Sequence, residues 1–186
     1  MKNVLIVFTV LAMASVANAG LLISVNGIIN PPESQINLKA SETAVIDIHG
    51  ANNTTTTVVT GWLLLQGPAT IDARTPVLPL WESSSVGNMS PADKAIYIPG
   101  LADLGYPGVV DIVEMDIKDT VEPYAAPNGL LIDGIKLHCE GLGDVILTLL
   151  DAGSFEPLSR VVIHQIPEPI TFALLGLGGL FLRRRK

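Results

Sequence analysis

Three histidines, one cysteine and 18 carboxylates are what this 186-residue chain offers for chemistry, and their spacing limits its use. His49, His138 and His164 stand far apart, with no H-E-x-x-H or H-x-H spacing to aim two imidazoles at one zinc ion. The densest acidic run is Asp111, Glu114, Asp116, Asp119 and Glu122. It lacks the D-x-D-x-D-G loop that wraps oxygens round calcium, and two carboxylates two residues apart on a strand project from one wet face about 7 Å apart. Glycoside hydrolysis needs two opposed carboxylates, and nothing in the sequence selects a pair. Ser83-Ser84-Ser85 has no G-x-S-x-G turn around it and reads as a polar loop. Cys139 falls on the apolar parity of its segment, which predicts a buried, inert thiol. No catalytic residue, metal or cofactor is therefore expected. Sugar recognition would use exposed aromatic faces. Trp62 belongs to an apolar run and reads as core, so Trp81, Tyr106 and Tyr124, in irregular stretches, are the candidates for a ligand surface.

The elements that must carry these residues read as strands. From Gly20 onward apolar residues recur with a period near two, in runs of about four to eight divided by Gly, Pro, Asn and Ser. The runs are 21–25, 36–38, 44–48, 57–65, 70–72, 95–98, 109–117, 129–137, 144–150 and 160–164, rich in Val, Ile and Thr. Such spacing predicts an all-β fold, two packed antiparallel sheets forming a sandwich of cohesin-like, jelly-roll or Ig-like topology. In 135–140 the parity places Ile135, Leu137 and Cys139 inward and Lys136, His138 and Glu140 outward. Gly141 and Gly143 then predict a hairpin into the strand at 144–150. Residues 75–107, with Pro76, Pro79, Pro91, Pro99 and Pro107, read as a long excursion with one short strand at 95–98.

The two ends have a different grammar. Lys2 precedes an apolar run from Val4 to Val16, and Ala17-Asn18-Ala19 follows: the order of a secretory signal peptide, cut after Ala19. At the other end Ile166-Pro167-Glu168-Pro169 leads into Ile170–Leu182, uncharged, and then Arg183-Arg184-Arg185-Lys186. As a helix these 13 residues, with Thr171 the one polar member, would be roughly 20 Å long against a hydrocarbon core of about 30 Å, and the four cations would stay on the cytoplasmic side. The boundaries expected are 1–19 for a signal helix, 20–165 for the sandwich and 166–186 for a tail with a short hydrophobic helix. Without its ends the body keeps six cations against 17 acids, a net charge of minus 11 where the whole chain has minus 7. With no basic patch, the body is not a nucleic-acid binder.

Pro167-Glu168-Pro169, the Gly-rich apolar stretch with Gly176, Gly178 and Gly179, and the terminal arginines resemble the PEP-CTERM sorting signal. The resemblance implies recognition by a membrane-embedded exosortase after export through the Sec machinery and cleavage by signal peptidase. It also implies passage through the inner membrane, held by the C-terminal helix, to the cell surface or an exopolysaccharide matrix. The Gly61-Trp62-Leu63-Leu64-Leu65 strand and the stretch from Gly134 to Leu147 are similar to cohesin-like and carbohydrate-binding sandwiches. Together these imply a non-enzymatic surface or matrix protein. The alternative is a recognition module for extracellular polysaccharide or another surface protein, and an extracellular polysaccharide hydrolase is the least supported reading.

Overall fold

The computed structural model describes residues 20–32, 36–51, 59–73, 85–117 and 129–167. Among them the strands are β1 (Gly20–Val25), β2 (Ile28–Ile29), β3 (Asn37–Lys39), β4 (Thr43–Ala51), β5 (Val59–Gln66), β6 (Ala69–Asp72), β7 (Ser85–Asn88), β8 (Val109–Ile117), β9 (Gly129–Cys139), β10 (Gly143–Asp151) and β11 (Pro157–Ile166); one helix, α1 (Pro91–Asp103), lies between β7 and β8. A five-stranded sheet in the order β2-β1-β4-β9-β6 faces a six-stranded sheet in the order β3-β11-β10-β5-β8-β7. Every pairing is antiparallel except that of β3 with β11, which is parallel. The all-β sandwich expected from the period-two pattern is the fold observed.

The alternation builds the core directly. Ile135, Leu137 and Cys139 of β9 face inward against Val145, Leu147 and Leu149 of β10 and Val161 and Ile163 of β11, all without measurable solvent exposure. Lys136, His138 and Glu140 point out, as their parity requires. Strand β5 departs from alternation because both of its faces are covered. Leu63 and Leu65 enter the sandwich core, whereas Trp62 and Leu64 join Met89, Leu101, Val109, Ile112 and Leu150 in a second cluster on the outside of the six-stranded sheet. Tyr97 of α1 and Phe155 meet Trp62 edge to face, with ring centroids at 4.9 and 5.4 Å. The fully buried members of the cluster, Leu101 of α1 among them, are worth roughly 1.5–3 kcal/mol each over the exposed state, which is why α1 stays on this face.

Three sequence expectations are corrected. Residues 95–98, expected as a strand, lie inside α1. Ser90 caps this helix, accepting from the Asp93 N–H at 3.2 Å and donating to the Asp93 carboxylate at 2.6 Å, with Pro91 in the first turn. These local signals start a helix and outweigh the strand-like triplet Ile96-Tyr97-Ile98. Ser85, expected in a polar loop, begins β7. The hairpin between β9 and β10 does not form: β9 pairs with β4 and β6, and β10 with β5 and β11. Residues 140–142 carry the chain from one sheet to the other, because both strands bury their apolar parity against the same interior from opposite sides.

The crossings sort the sandwich into two unlike ends. At one end lie residues 26–27, 40–42, 67–68 and 140–142, each linking successive strands in two or three residues, and here β11 runs out at Ile166. At the opposite end β1 begins at Gly20, and β4, β8 and the start of β7 border the segments 52–58, 118–128 and 74–84, which lie outside the described residues.

Candidate functional site at the base of the tail

Strand β11 sits between β10 and β3, and its last residues His164, Gln165 and Ile166 pair with Asn37, Leu38 and Lys39. Inward parity along β11 runs through Ser159, Val161 and Ile163 to Gln165, so an amide side chain arrives where an aliphatic one would be expected. Gln165 is buried, and its amide is satisfied at both ends: Nε2 donates to the Pro68 carbonyl at 3.0 Å, and Oε1 accepts the Gly141 N–H at 3.3 Å. The Glu140 N–H also donates to Pro68 O, at 2.9 Å. One side chain thus ties the end of β11 to two of the turns that cross between the sheets.

Polar contacts surround this staple. His164 Nδ1 meets Asp144 Oδ1 at 2.8 Å across the β10–β11 pair. Glu42 accepts the Lys39 N–H at 2.9 Å and lies 3.4 Å from the Lys39 ammonium; the backbone N–H first, and then the charge, hold its carboxyl below the usual value. Pro167 follows Ile166 and, having no N–H, cannot extend the ladder. Residues 165–186 match the PEP-CTERM protein-sorting motif. The chain carries this sorting signal. The PEP-CTERM motif marks an exported, surface-sorted protein, and its first two residues, Gln165 and Ile166, are the last two of a sandwich strand.

The other candidates are scattered. Pro167 is described, whereas Glu168, Pro169, Arg183, Arg184, Arg185, Ala17, Ala19, Trp81 and Tyr124 lie outside the described residues. Tyr106 is half-buried beside the Trp62 cluster; its hydroxyl donates to the Phe155 carbonyl at 3.3 Å, and burial, with Glu156 nearby, pushes its pKa up. The three histidines stay apart, His138 meeting Thr43 Oγ1 at 3.1 Å. Among the described residues no three His, Cys, Asp or Glu side chains converge as metal ligands. Asp111 takes the Lys94 ammonium at 2.8 Å and so ties α1 to β8, while Glu114 is exposed. Cys139 is fully buried, and burial, with Glu42 close by, raises its thiol pKa. At the far end a shallow depression of about 360 Å³ is lined by Thr60, Asp151, Ala152 and Gly153. The Asp151 carboxylate there already accepts from Gly153 and Ser154.

Among solved structures the body's neighbours are cohesins. The sixth cohesin of Acetivibrio cellulolyticus scaffoldin B, solved with a Cel5 dockerin, is 8% identical with a TM-score of 0.42, covering 79% of this chain and 99% of that one. The OlpC cohesin of Clostridium thermocellum, solved with Doc435, is 12% identical with a TM-score of 0.41, covering 82% and 99%. The OlpA cohesin of the same organism, solved with Doc918, is 8% identical with a TM-score of 0.40, covering 79% and 99%. Comparison with curated proteins finds no match. Among the described residues no helix is long and apolar enough to cross a membrane.

Gln165 and Pro68 were not singled out by their residue types. The available signal was a glutamine at an inward position of an apolar strand, since a buried amide must find partners for both its N–H and its carbonyl.

Proposed function

We propose that this is a non-enzymatic exported β-sandwich that works at the cell surface or in an extracellular matrix, after cleavage following Ala19 and processing of its tail by an exosortase. The enzyme would read Pro167, Glu168 and Pro169, with Arg183, Arg184 and Arg185 holding the far end of the apolar segment on the cytoplasmic side. The observation that carries this reading is the continuity of the sorting motif with β11. Strand β11 ends at Ile166, and Pro167-Glu168-Pro169 follows it directly in the sequence. A structural rather than catalytic body is supported by the duties of its polar side chains: Asp111 anchors α1, Asp151 caps a turn, and Gln165 joins the sheets. With a net charge of minus 11, the body repels acidic polymers unless cations mediate, so neutral polysaccharide or another protein is the matrix partner. Intact mass of surface-extracted protein tests the reading. The expected mature chain begins at Gly20 and ends within or before the apolar segment; a full-length C-terminus in a host with an active exosortase would remove the processing claim.

A second reading, recognition of carbohydrate, is favoured by one feature. The segments that hold Trp81 and Tyr124 both border strand ends at the end opposite the tail, where a ligand would be free of the anchor. A glycan array probed with residues 20–165 decides it, and silence across neutral and acidic polysaccharides would discard it.

A further inference from the structure

The geometry points to an end-on stance on the membrane before processing, with the short-turn end of the sandwich laid against the lipid headgroups. This rests on the reading above that Ile170–Leu182 enters the bilayer. From Ile166, the last ladder residue, to Ile170 the chain spans four Cα–Cα steps, a reach of at most about 14 Å. The Gln165 staple keeps the strand end from fraying to lengthen that tether. The end of the body from which the tail leaves is therefore held at the interface, while the opposite end stands about 30 Å farther out along strands of nine to eleven residues.

The surface at that end suits lipid as its occupant. Ile28 and Ile29, at the edge of the five-stranded sheet beside the 26–27 turn, are 46% and 49% exposed; Leu142, in the crossing between sheets, is 61% exposed, and Ile166 44%. These four apolar side chains sit on the end that the tail pulls toward the membrane. Around them lie the Lys39–Glu42 pair, the His164–Asp144 pair and the exposed Glu140. Carboxylates resist passage into hydrocarbon, so the contact stops at the headgroup layer and the apolar tips alone enter it. Of the other exposed apolar side chains, Val110 stands at the start of β8, whose first residue pairs with Gln66 beside the 67–68 crossing, and Val45 and Leu130 lie on β4 and β9; Ile96 and Tyr97 of α1, with Leu104 after it, belong to the helical layer outside the six-stranded sheet, and the helix should remain in water.

The test uses residues 20–186 on vesicles of the zwitterionic lipids phosphatidylethanolamine and phosphatidylcholine containing a photoactivatable phospholipid, with crosslinks located by peptide mass spectrometry. The expected pattern is label in 170–182, in the 28–29 segment and in the 140–142 turn, and none at 152–154 or in α1. Leu142→Asp should lose the label in its own turn while the tail label persists, and Ile96→Asp should change nothing. Label confined to 170–182, or spread equally over 152–154 and α1, overturns the end-on stance but leaves the anchor reading intact. Failure of the chain to sediment with vesicles, with no label in 170–182, overturns both.

Discussion

The two ends of the sandwich solve different problems. At the tail end the chain crosses between sheets, or turns within one, in two or three residues at 26–27, 40–42, 67–68 and 140–142, and every crossing is tied to a neighbour: Glu42 to Lys39 and, through its carbonyl, to Cys139; Pro68 to Glu140 and Gln165; Gly141 to Gln165. At the far end the described closure is the 152–156 turn. There Asp151 Oδ1 accepts the N–H groups of Gly153 and Ser154 at 2.9 and 2.8 Å and the Ser154 hydroxyl at 3.1 Å, all within the turn itself. The tail end thus carries a side-chain staple between segments distant in sequence, whereas the side-chain cap of the far-end turn is local; that turn is joined to the rest of the sandwich by the Ala152 N–H on the Thr60 carbonyl at 2.9 Å and by the Tyr106 hydroxyl on the Phe155 carbonyl. A side-chain contact between distant segments, such as Gln165 to Pro68, yields only when those segments separate, whereas a cap within one turn can open locally.

Three substitutions test that contrast, beginning with the largest effect. Gly67 has a φ of +98°, and a methyl group there would overlap the Asp144 carbonyl oxygen of the neighbouring strand β10. Gly67→Ala combines a left-handed backbone with a backbone clash that no rotamer relieves, so it should cost about 3 kcal/mol or more and lower the melting temperature by roughly 6–12 °C. A loss under about 1 kcal/mol would show the 67–68 crossing to be pliable and would break the contrast.

Next in size are two single-side-chain truncations, one at each end. Gln165→Ala leaves the Gly141 N–H and the Pro68 carbonyl without their side-chain partner at a buried site, a cost of about 1–3 kcal/mol. Asp151→Ala removes an exposed turn cap whose donors can turn to water, at about 1 kcal/mol or less. Denaturant melts of the two variants should keep that order. Native-state hydrogen exchange should show faster opening of Ile166 and Cys139 amides in the first and only of the 153–156 turn in the second. Equal costs would mean that the difference between the ends lies in chain length alone.

The sequence made the sandwich legible because burial on one face writes itself as alternation. The run 135–139 and the span of β8, 109–117, match the observed strands for that reason. It concealed the layer outside the six-stranded sheet, since a continuous run such as 61–65 says that both faces are covered without saying by what. The helix that covers one of them hides behind Pro99 and Gly100, although Ser90-Pro91-Ala92-Asp93 carries a capping signal. The sheet crossing at 140–142 was misread because glycines mark a turn and not the sheet to which the next strand belongs. At the tail, the Pro-Glu-Pro sequence and the terminal cations were plain, because a sorting motif is a contiguous stretch of sequence. The staple at its base was not, because Pro68 and Gln165 are 97 residues apart and meet only in the fold.

The smallest effect belongs to the middle of β9, where β4 and β9 slip register around Asp47. Asp47 is buried, accepts the Gly134 N–H at 3.0 Å and the Ser24 hydroxyl at 3.4 Å, and faces Asp133. The hydrogen bond to Asp47, then burial, then the repulsion between the carboxylates raise the pKa of Asp133. A carboxyl whose pKa is higher folded than unfolded contributes stability in full below the unfolded value, near 4, and loses it as pH rises through the folded value. At neutral pH the wild-type pair is therefore strained, whereas Asp133→Asn keeps a donor for Asp47 without the second charge. The variant should melt slightly higher than wild type at pH 7, and the gap should close as pH falls toward 4. A gap unchanged across that range would mean that Asp133 acts through backbone propensity in the bulge and not through its charge. Gln165→Ala provides the control: its cost carries no proton and should be the same at both pH values.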